Sequence, residues 1–345
     1  MKNPSAFNKI ASVNGQEITL QYVKTLDFDE REALVEPLFQ HFRKQGWLYP
    51  DDIVKVKRSW KRLQEFKPNL ELNELFNNSS LATDICKYYC HKFYDATEEG
   101  KPTMQDIFFN DEKLKYLIRN RLGFDWWDKE SNDETFHISF RMLIQGMRSS
   151  RLVPSISIFK PNIAKYLAMK YSNEGDTIFD YSAGWGGRML GTASCNRKYI
   201  GVDPLTTDEL KIMAEELGLK DIQLINSGSE NVKLQENSVD FSYSSPPYFD
   251  MEWYDSSKTQ AYTNGEEYFY DIYWAQTLDN VKHMLKPGKW FGFNILDKYT
   301  RMIDMAKERF GEPVEIVKLR TIRSHLTKNS GVEKFEPIFI FKNIK

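Results

Sequence analysis

Cysteine is nearly missing from this chain: there are three in 345 residues, Cys86, Cys90 and Cys195. Three thiols cannot build a disulfide framework, and they suit a reduced compartment. Long apolar runs are missing too. No stretch reaches the length that a bilayer demands, and Met1 to Leu20 is polar with no apolar leader core, so a soluble, cytoplasmic protein is expected. Positive charge is not in excess: 47 Lys and Arg face 49 Asp and Glu, a net charge of −2. No global field draws the chain to nucleic acid, so any such contact must come from a local basic face. Internal repeats, low-complexity tracts and long disordered linkers are absent as well. What is present, 41% hydrophobic and 14% aromatic residues, can bury a full core and more than one domain.

The segment Thr177-Ile178-Phe179-Asp180-Tyr181-Ser182-Ala183-Gly184-Trp185-Gly186-Gly187-Arg188 runs from an apolar strand into a glycine-rich turn. A helix follows from Arg188, then a second short strand, Lys198 to Val202, that ends in Asp203. That acid lies about 20 residues past the first glycine, where doubly wound folds place the group that holds ribose hydroxyls. A dinucleotide fingerprint would need a third glycine where Met189 stands, and a P-loop would need a lysine and a hydroxyl that are not there. The missing phosphate site argues against NAD and ATP. S-adenosylmethionine fits better, having a ribose, an adenine and an amino-acid tail that backbone at glycine can approach closely. Free N–H groups at the helix start can meet the tail's carboxylate.

Ser245-Pro246-Pro247-Tyr248 follows the alternating run Val239-Asp240-Phe241-Ser242-Tyr243, so it is expected at a strand's end. Two prolines stiffen the turn and fix its carbonyls. A hydroxyl before them and an aromatic face after them can accept hydrogen bonds from a planar amine and stack on the ring that carries it. A strand-ending turn with a core tyrosine would use the same residues.

Together, Asp180 to Arg188, Asp203 and Ser245 to Tyr248 resemble the nucleic-acid amino-methyltransferases, S-adenosylmethionine enzymes that methylate exocyclic base amines. The resemblance covers roughly residues 135–345, with the cofactor motif first, as in the family's gamma-type order, and extends to methyltransferases carried by bacteriophages and used in restriction-modification. The first motif departs from the common Phe-x-Gly, reading Ser182-Ala183-Gly184. The resemblance implies cofactor contacts from Asp180, Ser182, Ala183, Gly184, Trp185, Gly186, Arg188 and Asp203. It adds Phe159 and Pro161 from the segment Ser155 to Asn162, and Ser229 and Glu230 after the third strand. It implies that Ser245, Pro246, Pro247 and Tyr248 are catalytic, on a flipped base in DNA. A serine at the first position favours cytosine N4 over adenine N6, and both remain open. So do an RNA or protein-amide substrate and a non-catalytic binding module of the same fold.

The implied fold is α/β, a doubly wound, seven-stranded, Rossmann-like methyltransferase sheet over residues 131–345, preceded by a mainly helical domain, 1–130, with a possible role in target recognition. Strands are expected at 177–181, 198–202, 222–225, 239–243, 290–295, 314–321 and 337–341, the last two a hairpin-like pair, with a turn at Lys286-Pro287-Gly288. In the first part, a short strand is expected at 16–22 and helices at 29–44, 50–66 and 110–122. The stretch Phe124 to Glu134 marks the boundary. Phosphate contacts are expected from Lys55, Lys57, Arg58, Lys61 and Arg62 on one helix, and from Arg320 and Arg323 with His325 and Lys328 near the last strand. Lys113, Lys115, Arg119 and Arg121 form a further group. Cys86-Lys87-Tyr88-Tyr89-Cys90-His91 lacks a second ligand pair at metal spacing and reads as a core helix face, with no metal expected. The residues 255–265 have the composition of a mobile lid.

Overall fold

The computed structural model describes residues 5–76, 80–123, 137–154, 156–248, 254, 260–320 and 335–345. The chain divides into two units, each assembled from two separate stretches: Met1–Asp52 with His91–Ile156, and Ile53–Cys90 with Ser157–Lys345. The division differs from a single boundary near residue 130, because the segment 53–90 groups with the unit that holds the sheet and residues 91–156 with the helical unit. The boundary stretch 124–134 lies outside the described residues.

In the helical unit, the expected strand at 16–22 is a two-residue hairpin, β1 (Ser12–Val13) and β2 (Gln16–Glu17), followed by the helix Leu20–Thr25. The helix expected at 29–44 is two, Phe28–Ala33 and Val35–Gln45, the first started by a capping box between Asp27 and Glu30. Asp111–Leu122 forms as expected, and Phe140–Ser149 adds a helix that the sequence reading left out. Trp47 meets Phe108 and Phe140 edge-on at 5.5 and 5.4 Å in this unit's aromatic core.

The other unit holds a mixed sheet of eight strands: β3 (Glu74–Phe76), β4 (Thr177–Asp180), β5 (Lys198–Val202), β6 (Ile222–Ile225), β7 (Val239–Ser244), β8 (Leu285–Asn294), β9 (Glu315–Arg320) and β10 (Phe335–Lys342). Their order is β3-β9-β10-β8-β7-β4-β5-β6, with β10 antiparallel to both neighbours. The doubly wound sheet and its reversed last strand match expectation. The eighth strand does not: β3 comes from the segment before residue 90 and pairs parallel with the edge of β9, Glu74 opposite Lys318.

Side chains alternate between the two faces, as the period of two requires. Phe179, Phe291, Phe293, Phe339 and Phe341 face the helices Ala275–Met284 and Thr300–Phe310, whereas Ile178, Phe241, Ile338 and Ile340 face Pro161–Tyr171. Phe293 and Phe341 stack at 5.7 Å across β8 and β10. Burial on both sides explains why these strands read as nearly continuous apolar runs.

Lys286-Pro287-Gly288 is not a connecting turn. It bulges inside β8, which pairs Val239 with Leu285 and then Phe241 with Trp290. Gly288 takes φ +72°, and Asn343 closes the bulge from the side, its amide donating to the Leu285 carbonyl at 2.8 Å. The bulge also brings Lys286 to Asp240 at 2.8 Å and Lys289 to Asp176 and Asp240, both at 3.3 Å. Burial pushes the Asp240 carboxyl up, but Lys286, the Thr177 N–H and Lys289 outweigh it and hold the group below its ordinary range. A lowered folded value contributes stability above the unfolded pKa of about 4 and loses it as pH falls through the folded value. Urea midpoints between pH 6 and pH 2.5 should therefore fall less steeply for Asp240→Asn than for the parent; equal slopes would contradict the assignment.

Candidate functional site

Asp180, the last residue of β4, is a buried carboxylate fully excluded from solvent, with the neighbouring strands β5 and β7 on either side. Its Oδ2 accepts from Arg188 Nε at 2.8 Å and the Tyr199 hydroxyl at 2.7 Å. Its Oδ1 accepts from the Ser244 hydroxyl at 2.6 Å and the Ser182 N–H at 3.2 Å. Four donors fill the four acceptor positions of a carboxylate. Asp180 therefore has no capacity left for a ligand; it shapes the glycine turn and ties it to β5 and β7. Burial opposes the Arg188 charge, but neighbouring Asp180 outweighs that and raises the arginine's pKa. The same guanidinium bonds the Ser182 carbonyl and lies 5.4 Å over the Phe159 ring.

The turn itself has two left-handed glycines, Gly184 at φ +52° and Gly186 at φ +77°. Ala183 and Trp185 are buried, while Ser182 and Gly184 are partly open. Gly187 packs directly on the backbone carbonyl of Phe159, where an added Cβ has no room. Pro161 starts the helix Pro161–Tyr171 at its first turn, a position where its missing N–H costs nothing. Phe159 is thus brought against the end of the turn, and the Pro161 carbonyl against Gly191 in the helix that follows. Gly187→Ala is expected to destabilise the protein by about 1–3 kcal/mol, the usual effect of overpacking against backbone. Urea unfolding would measure it, and an unchanged midpoint would contradict the close approach.

Asp203, partly buried beyond β5, is held by backbone. Its Oδ2 accepts from the Gly184 N–H, and its Oδ1 from the Leu205 and Thr206 N–H groups, all at 2.9 Å. Burial raises its pKa against those three donors. One acceptor position remains on Oδ2. The Thr206 hydroxyl returns a bond to the Gly184 carbonyl at 2.7 Å, closing a ring between the turn and the acid.

After β6, Ser229 is buried with its hydroxyl 2.7 Å from that of Thr277, and Glu230 Oε1 accepts from the Tyr268 hydroxyl at 3.0 Å. Among the described residues, Glu230 Oε2 is buried with no hydrogen-bond partner.

Ser245 to Tyr248 continues directly from β7. Ser244 and Ser245 turn to different neighbours: the first to Asp180, the second to the Asn294 carbonyl at the end of β8, in a long bond of 3.5 Å. A hydroxyl that donates there keeps its lone pairs to accept. Pro246 is buried. The Tyr248 ring is braced at both ends, its hydroxyl on Glu336 at 2.8 Å and its face tilted against Tyr299 at 5.3 Å.

The sequence reading missed Tyr199, Ser244, Thr206, Asn294 and Glu336. Tyr199 and Ser244 carried a signal, since a hydroxyl at an inward position of a buried strand needs a partner. Asn294 and Glu336 had none before the order of β8 and β10 was known.

The basic residues divide. Lys55, Lys57, Arg58, Lys61 and Arg62 are all exposed along the helix Ile53–Glu65. In the other group, Lys115 pairs with Glu36 at 2.8 Å, Arg119 with Glu32 at 2.7 Å, and Arg121 is buried on Ser149. Arg320 lies 3.7 Å from Glu74 at the sheet edge. Arg323, His325 and Lys328 lie outside the described residues, as do 255–259 of the suggested lid. Cys86 and Cys90 are buried on and just after the helix Thr83–Tyr89, the core face expected of them, and burial pushes the Cys86 thiol up to about 12.

No family model matches the chain, and no curated protein matches it. Solved structures similar to it include tRNA (m1A58) methyltransferase TrmI from Aquifex aeolicus, 12% identical over 55% of this chain and 72% of that one, with a TM-score of 0.40. A SAM-dependent O-methyltransferase from Thermotoga maritima is 14% identical over 59% and 70%, at 0.38. A putative rRNA-methylase from Clostridium thermocellum is 18% identical over 54% and 100%, at 0.35. Likeness at this level assigns neither a substrate nor a residue role.

Proposed function

We propose that this protein is an S-adenosylmethionine-dependent methyltransferase acting on the exocyclic amine of a flipped base in DNA, cytosine N4 in preference to adenine N6. One observation carries the reading: Ser245-Pro246-Pro247-Tyr248 leaves β7 one residue after Ser244, whose hydroxyl bonds the carboxylate that holds the glycine turn. The amine-accepting motif and the nucleoside-binding turn are thus built on one network.

The residues present fit the cofactor. Glycine backbone at 184 and 186 allows close approach, Asp203 keeps one acceptor for a ribose hydroxyl, and buried Glu230 Oε2 lacks a donor that an amine or hydroxyl would supply. When bound, the cofactor supplies an electrophilic methyl group. Ser245 and the Pro246 carbonyl accept the two N–H bonds of the base amine and draw its lone pair out of the ring. Tyr248, fixed through Glu336 and Tyr299, offers a rigid face for stacking. These are effects of position and of acceptors set in advance, with no covalent nucleophile. The exposed cations of Ile53–Glu65 would contact phosphate.

Methyl transfer from labelled cofactor to duplex DNA, RNA and protein, followed by nuclease digestion and mass spectrometry, tests the reading. N4-methylcytosine is expected in the DNA. N6-methyladenine would reassign the base, and label confined to RNA or protein would overturn the substrate.

A further inference from the structure

The segment Tyr268–Trp274 is a π-helix that runs without a break into the α-helix Ala275–Met284. In an α-helix, residues five apart point about 140° away from each other. A π-helix closes its hydrogen bond between i and i+5, which brings such residues onto one face, and single π-turns recur at functional sites. Here the register aligns two pairs. Phe269 and Trp274 enter the core together, both fully buried. Tyr268 and Tyr273 present their hydroxyls together, one to Glu230 Oε1 at 3.0 Å and the other to Ser182 at 3.3 Å.

The stripe then continues at α spacing. Thr277, four residues after Tyr273, meets the Ser229 hydroxyl at 2.7 Å. Asn280, three residues further, donates to the Glu230 carbonyl at 2.9 Å. Four polar side chains on one helical face therefore grip Ser182, Ser229 and Glu230, three residues that the sequence grouped as cofactor contacts from two distant segments. An uninterrupted α-helix would keep Tyr273, Thr277 and Asn280 together and send Tyr268 elsewhere.

We infer that Tyr268, Tyr273, Thr277 and Asn280 are positioning residues for the cofactor, acting through Ser182, Ser229 and Glu230, and that the π-turn exists to bring Tyr268 into that set. The inference rests on the methyltransferase reading. Tyr268 orients Glu230 so that its unpartnered Oε2 stays available, and Tyr273 fixes the Ser182 hydroxyl beside the open face of the glycine turn. The hydroxyls of Tyr268 and Tyr273 do not enter the transfer step.

The test is calorimetric binding of S-adenosylhomocysteine to the full chain, with cofactor KM and kcat measured beside it. Tyr273→Phe and Tyr268→Phe should each weaken binding about tenfold, the usual effect of losing one such hydrogen bond. Cofactor KM should rise by the same factor, with kcat falling less than threefold and the melting temperature retained. In a double-mutant cycle, Tyr273→Phe should add nothing once Ser182 is alanine, and Tyr268→Phe nothing once Glu230 is alanine. Parental affinity in both tyrosine variants, or additive effects in both cycles, would overturn the inference and leave the methyltransferase reading intact. A parent chain that binds no S-adenosylhomocysteine would overturn both. Thr277→Val serves in place of a tyrosine variant that fails to fold, with the same weakening expected.

Discussion

Asp180→Ala should lower the free energy of unfolding by about 3–5 kcal/mol, the range seen when one partner of a buried ion pair is removed. The substitution strands the Arg188 guanidinium, 5% exposed, together with the hydroxyls of Tyr199 and Ser244. Removing the second charge as well, in Asp180→Ala with Arg188→Met, should recover part of the loss, because the penalty comes mainly from the uncompensated charge. Urea unfolding of the three proteins measures both effects. A loss below about 1 kcal/mol for Asp180→Ala would mean that the network is not what holds the turn, since that is the scale of a single ordinary hydrogen bond.

Ser245→Ala should reduce methyl transfer about 100-fold or more, the scale on which removal of one preorganised polar group slows catalysis. Affinity for S-adenosylhomocysteine should stay within about twofold, about 0.4 kcal/mol. Among the described residues the Ser245 hydroxyl bonds the Asn294 carbonyl, at 3.5 Å, whereas Ser244 is built into the Asp180 network. Ser244→Ala should therefore weaken cofactor binding and stability first. The neighbouring serines separate the two roles, and a Ser245→Ala enzyme that methylates DNA at more than a third of the parental rate would remove the serine from the chemistry.

Much of the sheet was legible because its strands are buried on both faces and punctuated by glycine and proline. β4, β5 and β6 begin and end within a residue of their expected bounds. β3 was not legible: three residues of a short edge strand carry no period of their own, and only pairing with β9 makes them a strand. The bulge in β8 was read as a turn because Pro-Gly punctuates in the same way whether the chain reverses or merely slips register. The glycine turn, Asp203 and the Pro-Pro motif were visible as local patterns. Their shared support was not, because Asp180 acts through Tyr199 and Ser244, contributed by neighbouring strands. The π-turn left no pattern either, since an aromatic run such as Tyr268 to Trp274 has no period that separates i+4 from i+5.

The pairing of β3 with β9 sets an order of synthesis. The ribosome releases Glu74 about 240 residues before Lys318, its partner in the sheet. For most of translation β3 is a strand without a sheet, and the segment 53–90 is made before residues up to 156 complete the helical unit. Nascent domains generally fold as they emerge, so the sheet closes last. A nascent chain stalled before β9 would keep β3 open to protease, and release of β9 and the residues after it would protect it.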